Sequence, residues 1–354
     1  MFRSLLGLAA VVALVGAVPA ESPPVKALPE PPKKPAEPKT LGSLDSKDAA
    51  FDKLIAKDTK IEVLADGYKW TEGPVWFKRE SALLFTDIPN NRVVKFDPKD
   101  GSTKDFLKPS GYTGKDEFKG TEPGANGLAF DKDGTLFLCQ HGDRRVAKLA
   151  ADGKFYTVVD KFEGKRLNSP NDLVFAKNGD IYFTDPPYGL PGNVLDPKNP
   201  NRELDFQGVY RLTPKGELSL LTKEMTKPNG IGLSPDEKTL YVANSDPDKA
   251  IWMAFPLADG KLGKGKVLFD ATADVKASPD KGLPDGLKVD KDGTIFAPAG
   301  NGVYVLTPDG KLLGRIVTND KTANCAWGDD GTTLYMSTNH KLTRIKTTTK
   351  GLGW

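Results

Sequence analysis

Short apolar runs recur along the chain in pairs, and each pair is folded on a turn. The clearest pair lies within residues 167–190, LNSPNDLVFAKNGDIYFTDPPYGL. Residues 172–175 read as one strand, Lys177, Asn178, Gly179 and Asp180 supply turn chemistry, and residues 181–184 read as the returning strand. Polar residues flank the pair: Asn168, Asn171 and Asp172 before it, Asp185 after it. A hairpin brings these two ends together. Five further pairs begin at Glu72, Asn126, Asn229, Asp285 and Asn324, and most are followed by a third strand such as RVVKF, GVYRL or GVYVL. The copies recur at about 40 to 60 residues, the interval of propeller blades built from four antiparallel strands. The pattern therefore predicts an all-β, six-bladed β-propeller. A strand at residues 60–64, before the first blade, is expected to complete the last blade and hide its free edge. A solenoid is the alternative, disfavoured by the long repeat and the scarcity of helical pattern. Only residues 48–57 read as a short amphipathic helix.

The ends of the chain have a different composition. Arg3 precedes a short apolar run over residues 5–18, and Val18-Pro19-Ala20 makes a small-residue cleavage site, so residues 1–20 read as a secretory signal peptide. The run is too short to span a bilayer, although an uncleaved anchor is the competing reading. A secreted or periplasmic protein is expected. Residues 21–40 are Pro-rich with interspersed Lys and Glu, a linker composition. Residues 41–59 form an N-terminal extension and 60–354 the propeller.

Charge and cysteine usage narrow the partners. The net charge is +3, with lysines scattered among aspartates, which argues against a nucleic-acid groove. No later stretch is apolar enough for stable membrane insertion of the mature chain, and the oligomeric state is left open. Cys139 and Cys325 fall in separate blades and are expected to remain unpaired. Together with His141 and His340 they show no zinc-ligand spacing.

In a propeller the first strand of each blade lines the central channel. Glu72, Asn126, Asn171, Asn229, Asp285 and Asn324 should therefore form a ring near one mouth. All six side chains carry oxygen, which suits a hard cation. The competing reading is that Asn and Asp beside Gly merely supply turn geometry. The second strands return to the same mouth, carrying Asp87, His141, Asp185, Tyr188, residues 244–246, Asn301, Asn339 and His340. Among these, His141 and Tyr188 are candidate substrate contacts, joined by Asn126 and by Arg166, which precedes LNSPND.

These segments resemble the senescence-marker-protein/gluconolactonase/luciferin-regenerating-enzyme-like family of six-bladed propellers. The resemblance is carried by TEGPVW (71–76), GKRLNSPNDLVF (164–175), IYFTDPPYG (181–189), KPNGIGLSPD (227–236) and LPDGL (283–287). HGDRRV (141–146) and NCAWG (324–328) look like the gluconolactonase branch. The resemblance implies one divalent cation, with calcium expected and Mg²⁺, Mn²⁺ or Zn²⁺ as alternatives. Its implied ligands are Glu72, Asn171, Asn229 and Asp285. It also implies a small-molecule lactone, typically a sugar lactone, as substrate. Opening a lactone needs a polarised carbonyl and an activated water, and Asp285 is the candidate base. A non-catalytic propeller that binds a glycan or a protein, and a phosphotriesterase-type hydrolase, are the alternatives. Insertions at 105–121 and 191–206 depart from the family pattern and bear on substrate choice.

Overall fold

The structure is a computed structural model that describes residues 38–194, 196–278 and 282–354. The expected signal peptide, and the expected linker up to residue 37, lie outside the described residues.

Six antiparallel sheets succeed one another along the chain. Their first strands are Thr71–Phe77, Ala125–Phe130, Leu173–Phe175, Pro228–Leu233, Lys288–Val289 and Thr322–Gly328. Each first strand pairs with the next strand in sequence and touches the first strands of both neighbouring sheets, in cyclic order. This is a six-bladed propeller with a central channel. Helix is scarce: Ala49–Leu54 and Thr272–Ala277, besides short 3₁₀ turns. No described helix is long and apolar enough to cross a membrane.

Residues 38–59 pack onto the blades. Ser43–Ser46 pairs with Leu312–Val317 at the outer side of the fifth sheet. Ile61–Asp66 pairs with Lys341–Lys346, the third strand of the sixth sheet, with Lys341 opposite Asp66. Asp48 caps the helix Ala49–Leu54 by accepting a hydrogen bond from Ala50 N (2.8 Å), which satisfies an otherwise orphaned donor. That helix buries Phe51 among Phe296, Val305, Ile316 and Trp327, between the fifth and sixth blades.

The core lies between the blades. Propeller sheets are buried on both faces, so large rings fill the wedges that open between them. Phe77 stacks on Phe130 across blades one and two (4.9 Å), and Phe137 meets Phe175 edge-on across two and three (5.0 Å). Trp252 meets Tyr304 across four and five, Phe296 meets Trp327 across five and six, and Trp76 stacks on Tyr335 across one and six. Such pairs add about 0.5–1.5 kcal/mol each beyond area burial. Cys139 and Cys325 are free and buried in two of these wedges, small apolar fillers rather than partners.

The polar residue that ends a second strand has a structural task. Asp87 accepts from Lys69 N and Trp70 N, Asp185 from Asn168 N, and Asn244 from Lys227 N. Each pins the chain just before the first strand of its own blade. This fixes where the channel-lining strand begins.

If residues 38–59 are part of the folded unit, Phe51→Ala should cost about 3 kcal/mol or more, as expected for a buried aromatic ring. Denaturant unfolding measures this. A loss below about 1 kcal/mol would show that the helix is a dispensable appendage.

Candidate active site

The channel-lining strands carry irregularities at their entrances. Register shifts fall between Glu72 and Val75, Ala125 and Leu128, Pro228 and Ile231, and Thr322 and Asn324. A bulge breaks the strict alternation of a strand and re-aims a side chain. Here it frees Glu72, Asn126, Asn229 and Asn324 from the pattern that buries their neighbours in the wedges. The glycines that follow permit close approach of the next blade. A Cβ on Gly73, whose φ is +48°, would lie 2.0 Å from Asn126 O, and one on Gly230 would lie 2.1 Å from Asp285 O. The Asn-Gly pairs thus serve blade packing as well as turn geometry.

At this mouth a cavity of about 290 Å³ is lined by Glu72, Asn126, Asn171, Asn229 and Asp285, with Trp70, Glu122, Tyr188, Ser245 and Lys321 around them. Five of the six ring positions converge there. The sixth, Asn324, instead holds Glu72: its Nδ2 donates to Glu72 Oε2 (2.9 Å), which also accepts from Gly73 N. Asn324 Oδ1 accepts in turn from Cys325 N (2.9 Å) and from the ammonium of Lys288 (3.3 Å). Glu72 is therefore fixed by one oxygen, and its Oε1 is buried without a hydrogen-bond partner among the described residues. Asn126 Oδ1 is equally unpartnered. A larger cavity of about 680 Å³ opens at the other end of the channel, among Trp76, Phe130, Trp327 and Trp354. Its carboxylates, Asp131 and Asp133, are taken up by their own turn and by Lys132, so chemistry rather than volume marks the site.

The ring is electrostatically strained. Burial pushes the Glu72 carboxyl up to about 7, with the Asp172 carboxylate adding to the effect. Burial, reinforced by the charge of Glu72, holds Asp285 well above the usual carboxylate range. Burial also raises Asp172, against the pull of Lys288. Carboxylates packed this closely, and screened from water by burial, favour taking up protons or a cation. Among the described residues no group of three or more His, Cys, Asp or Glu could hold a metal. The donors here are instead two carboxylates and several carboxamides, one carboxylate oxygen being unsatisfied. That all-oxygen set fits a hard divalent cation and offers nothing to a thiolate-seeking one.

The other expected contacts separate. Tyr188 lines the cavity and donates from its hydroxyl to Ser245 O (3.2 Å). His141 is buried behind the cavity wall, its Nδ1 3.0 Å from Glu122 Oε2. Arg166 is outside the lining, where its guanidinium donates to Asp143 O (3.1 Å). Asp87, Asp185 and Asn244 pin backbone as described above, and neither Asn301 nor His340 reaches the lining. Glu122, Trp70 and Lys321 were not foreseen. Glu122 directly follows the first insertion, whose start shifts, because the outer strand of blade one continues through Leu107. Only its place beside that insertion could have signalled Glu122.

Comparison with known proteins gives a consistent result. The family description SMP-30/gluconolactonase/LRE-like region matches residues 70–340. A gluconolactonase from Zymomonas mobilis is 40% identical over 319 residues, which cover 88% of each chain. The structure of a Xanthomonas campestris gluconolactonase superposes with a TM-score of 0.74 at 31% identity, over 89% of this chain and 99% of that one. A regucalcin from Agrobacterium tumefaciens, described as a calcium-binding protein, shares the fold alone: TM-score 0.63 at 19% identity, over 82% of this chain and 94% of that one.

In chelator, the pH dependence of stability should expose the strained carboxylate. Folded Glu72 keeps a proton up to about pH 7 that the unfolded chain releases near its ordinary value of 4.5, so Glu72 makes stability fall as pH rises through that window. Asp185, raised by burial to about 7, acts in the same direction. Denaturant unfolding across this range should show a negative slope, shallower in Glu72→Gln. An unchanged slope in the variant would contradict the assignment.

Proposed function

The chain belongs to the SMP-30/gluconolactonase/LRE-like family, and from that membership we propose that it is an exported, divalent-cation-dependent hydrolase that opens a sugar lactone. The observation that carries the reading is the convergence of the two ring carboxylates and three carboxamides in one cavity, with Glu72 Oε1 left unsatisfied among the described residues. Relatives named gluconolactonase and lactonohydrolase support lactone opening, and they favour neither a purely binding propeller nor a phosphotriesterase. Export is inferred from the leader-like residues 1–20.

In this reading Glu72, Asn171, Asn229 and Asp285 hold one cation, with calcium suggested by the calcium-binding relative of the same fold. When bound, such an ion supplies a positive charge that polarises the acyl carbonyl. Asp285 takes a proton from water through a carboxylate oxygen. The water oxygen then adds to the acyl carbon, the ring C–O bond breaks, and the ring oxygen leaves as a hydroxyl after gaining a proton. Asn126, whose carbonyl oxygen is free, orients a substrate hydroxyl. Tyr188 and Trp70 wall the ring. Asn324 keeps the Glu72 carboxylate in one orientation, so little reorganisation accompanies each turnover. Arg166 has no part in this contact set.

Asp285→Asn should lower kcat on glucono-1,5-lactone by about a hundredfold or more, the typical share of a general base. Circular dichroism should show the fold intact. Chelation should abolish activity in the parent protein and added calcium should restore it. Undiminished turnover by Asp285→Asn would overturn the mechanism.

A further inference from the structure

We propose that Glu122, held in place by His141, is a specificity-determining residue that grips the hydroxyl groups of a polyhydroxylated lactone. The proposal rests on the lactonase reading for the site and adds what that site selects. Among the described residues, Glu122 is the one carboxylate of the cavity lining outside the ring. Its side chain is about 28% exposed, so it faces the cavity rather than the core. Among the described residues its sole close polar partner is His141, whose Nδ1 lies 3.0 Å from Glu122 Oε2. The other oxygen, Oε1, is free for a ligand.

The loop that carries Glu122 is held on both sides. Asn91 Oδ1 accepts from Ser110 N (3.0 Å) and Gly111 N (2.8 Å). Thr113 Oγ1 donates to Asp143 Oδ2 (2.6 Å), Tyr112 N donates to Pro123 O (2.6 Å), and Gly124 N donates to Ile88 O (3.0 Å). A carboxylate on a free loop would pay side-chain entropy on binding, whereas this one is set before the ligand arrives. His141 itself is buried, and neither ring nitrogen makes a hydrogen bond among the described residues, Nδ1 meeting Glu122 Oε2 as a close polar contact at 3.0 Å. An imidazole in such a place is not solvated. Its neighbour is the Glu122 carboxylate, and the ring, fixed by its own burial, sets where Oε2 rests.

A carboxylate accepts hydrogen bonds and donates none, so it selects a ligand bearing adjacent O–H donors. A lactone derived from a sugar carries them, while an alkyl lactone does not. Hydrogen bonds to a charged group are worth more than neutral ones, which makes the discrimination large. His141 acts through Glu122 and is a positioning residue. This accounts for a histidine that belongs to the site yet does not line it.

The test compares glucono-1,5-lactone with unsubstituted δ-valerolactone in the cation-loaded protein. The ratio of their kcat/KM values should fall about tenfold to a hundredfold in Glu122→Ala. The loss should lie mainly in KM for the sugar lactone, and Glu122→Asp should recover part of it. His141→Asn should move the ratio in the same direction by a smaller factor. Calorimetric binding of glucono-1,5-lactam, which is not hydrolysed, should weaken by a similar factor in Glu122→Ala. An unmoved ratio overturns the proposal, and so does a calcium affinity that drops as far as it does in Asp285→Asn, since Glu122 would then be a ligand. If the parent protein opens neither lactone, the lactonase reading fails by itself and the lactam decides: Glu122-dependent binding keeps the grip, and no binding or equal binding removes it.

Discussion

Two carboxylates, the buried Glu72 and the half-buried Asp285, share one small cavity, and most of the molecule's construction follows from the cost of that arrangement. Burial lifts both above the usual carboxylate range; the charge of Glu72 raises Asp285 further, and that of Asp172 raises Glu72. An unpaired ionised carboxylate in a dry interior costs several kcal/mol, so the site stores free energy that a cation or protons must relieve. A flexible scaffold would relax by letting water in or by turning the side chains away. The ring prevents this. Asn324 and Gly73 grip one oxygen of Glu72, and Lys288 grips Asn324 from below. The strain is kept because the surrounding backbone over-determines it.

That stiffness has three sources at different scales. Bulges at the entrances of the channel strands turn the ring residues inward, a local effect of one or two residues. Polar side chains at the ends of the second strands then fix where each channel strand starts. Aromatic rings wedged between blades lock the sheets against sliding, so a shift in one blade is felt by the next. Close backbone approach at Gly73 and Gly230 passes the register from blade to blade. Function therefore depends on residues that never touch a ligand.

The sequence made the architecture legible because each blade repeats one pattern. Apolar pairs, turn residues and a polar first position recur, and recurrence reports the channel even where one copy would be ambiguous. Five of the six repeat-start residues meet in the cavity for that reason. Asn324 obeys the same pattern and yet turns toward Glu72, a choice made by side-chain rotation that no linear pattern encodes. The polar ends of the second strands share a mouth with the ring, but Asp87 turns one oxygen to backbone amides and the other to Arg92, and Asp185 turns one to Asn168 N. Tertiary hydrogen bonding decides that, and spacing along the chain cannot. Glu122 lies in a loop outside the repeat, so periodicity had nothing to say about it, and Arg166 points to Asp143 rather than to the cavity.

The central claim is that the strained ring is a cation site, and diffraction tests it most directly. Crystals grown with calcium and measured at long wavelength should give a single anomalous peak in the cavity. Oxygens of Glu72, Asn171, Asn229 and Asp285 should lie about 2.3–2.6 Å from it, the range of calcium coordination. A cavity without such a peak at saturating calcium, or an ion bound elsewhere on the chain, would contradict the account.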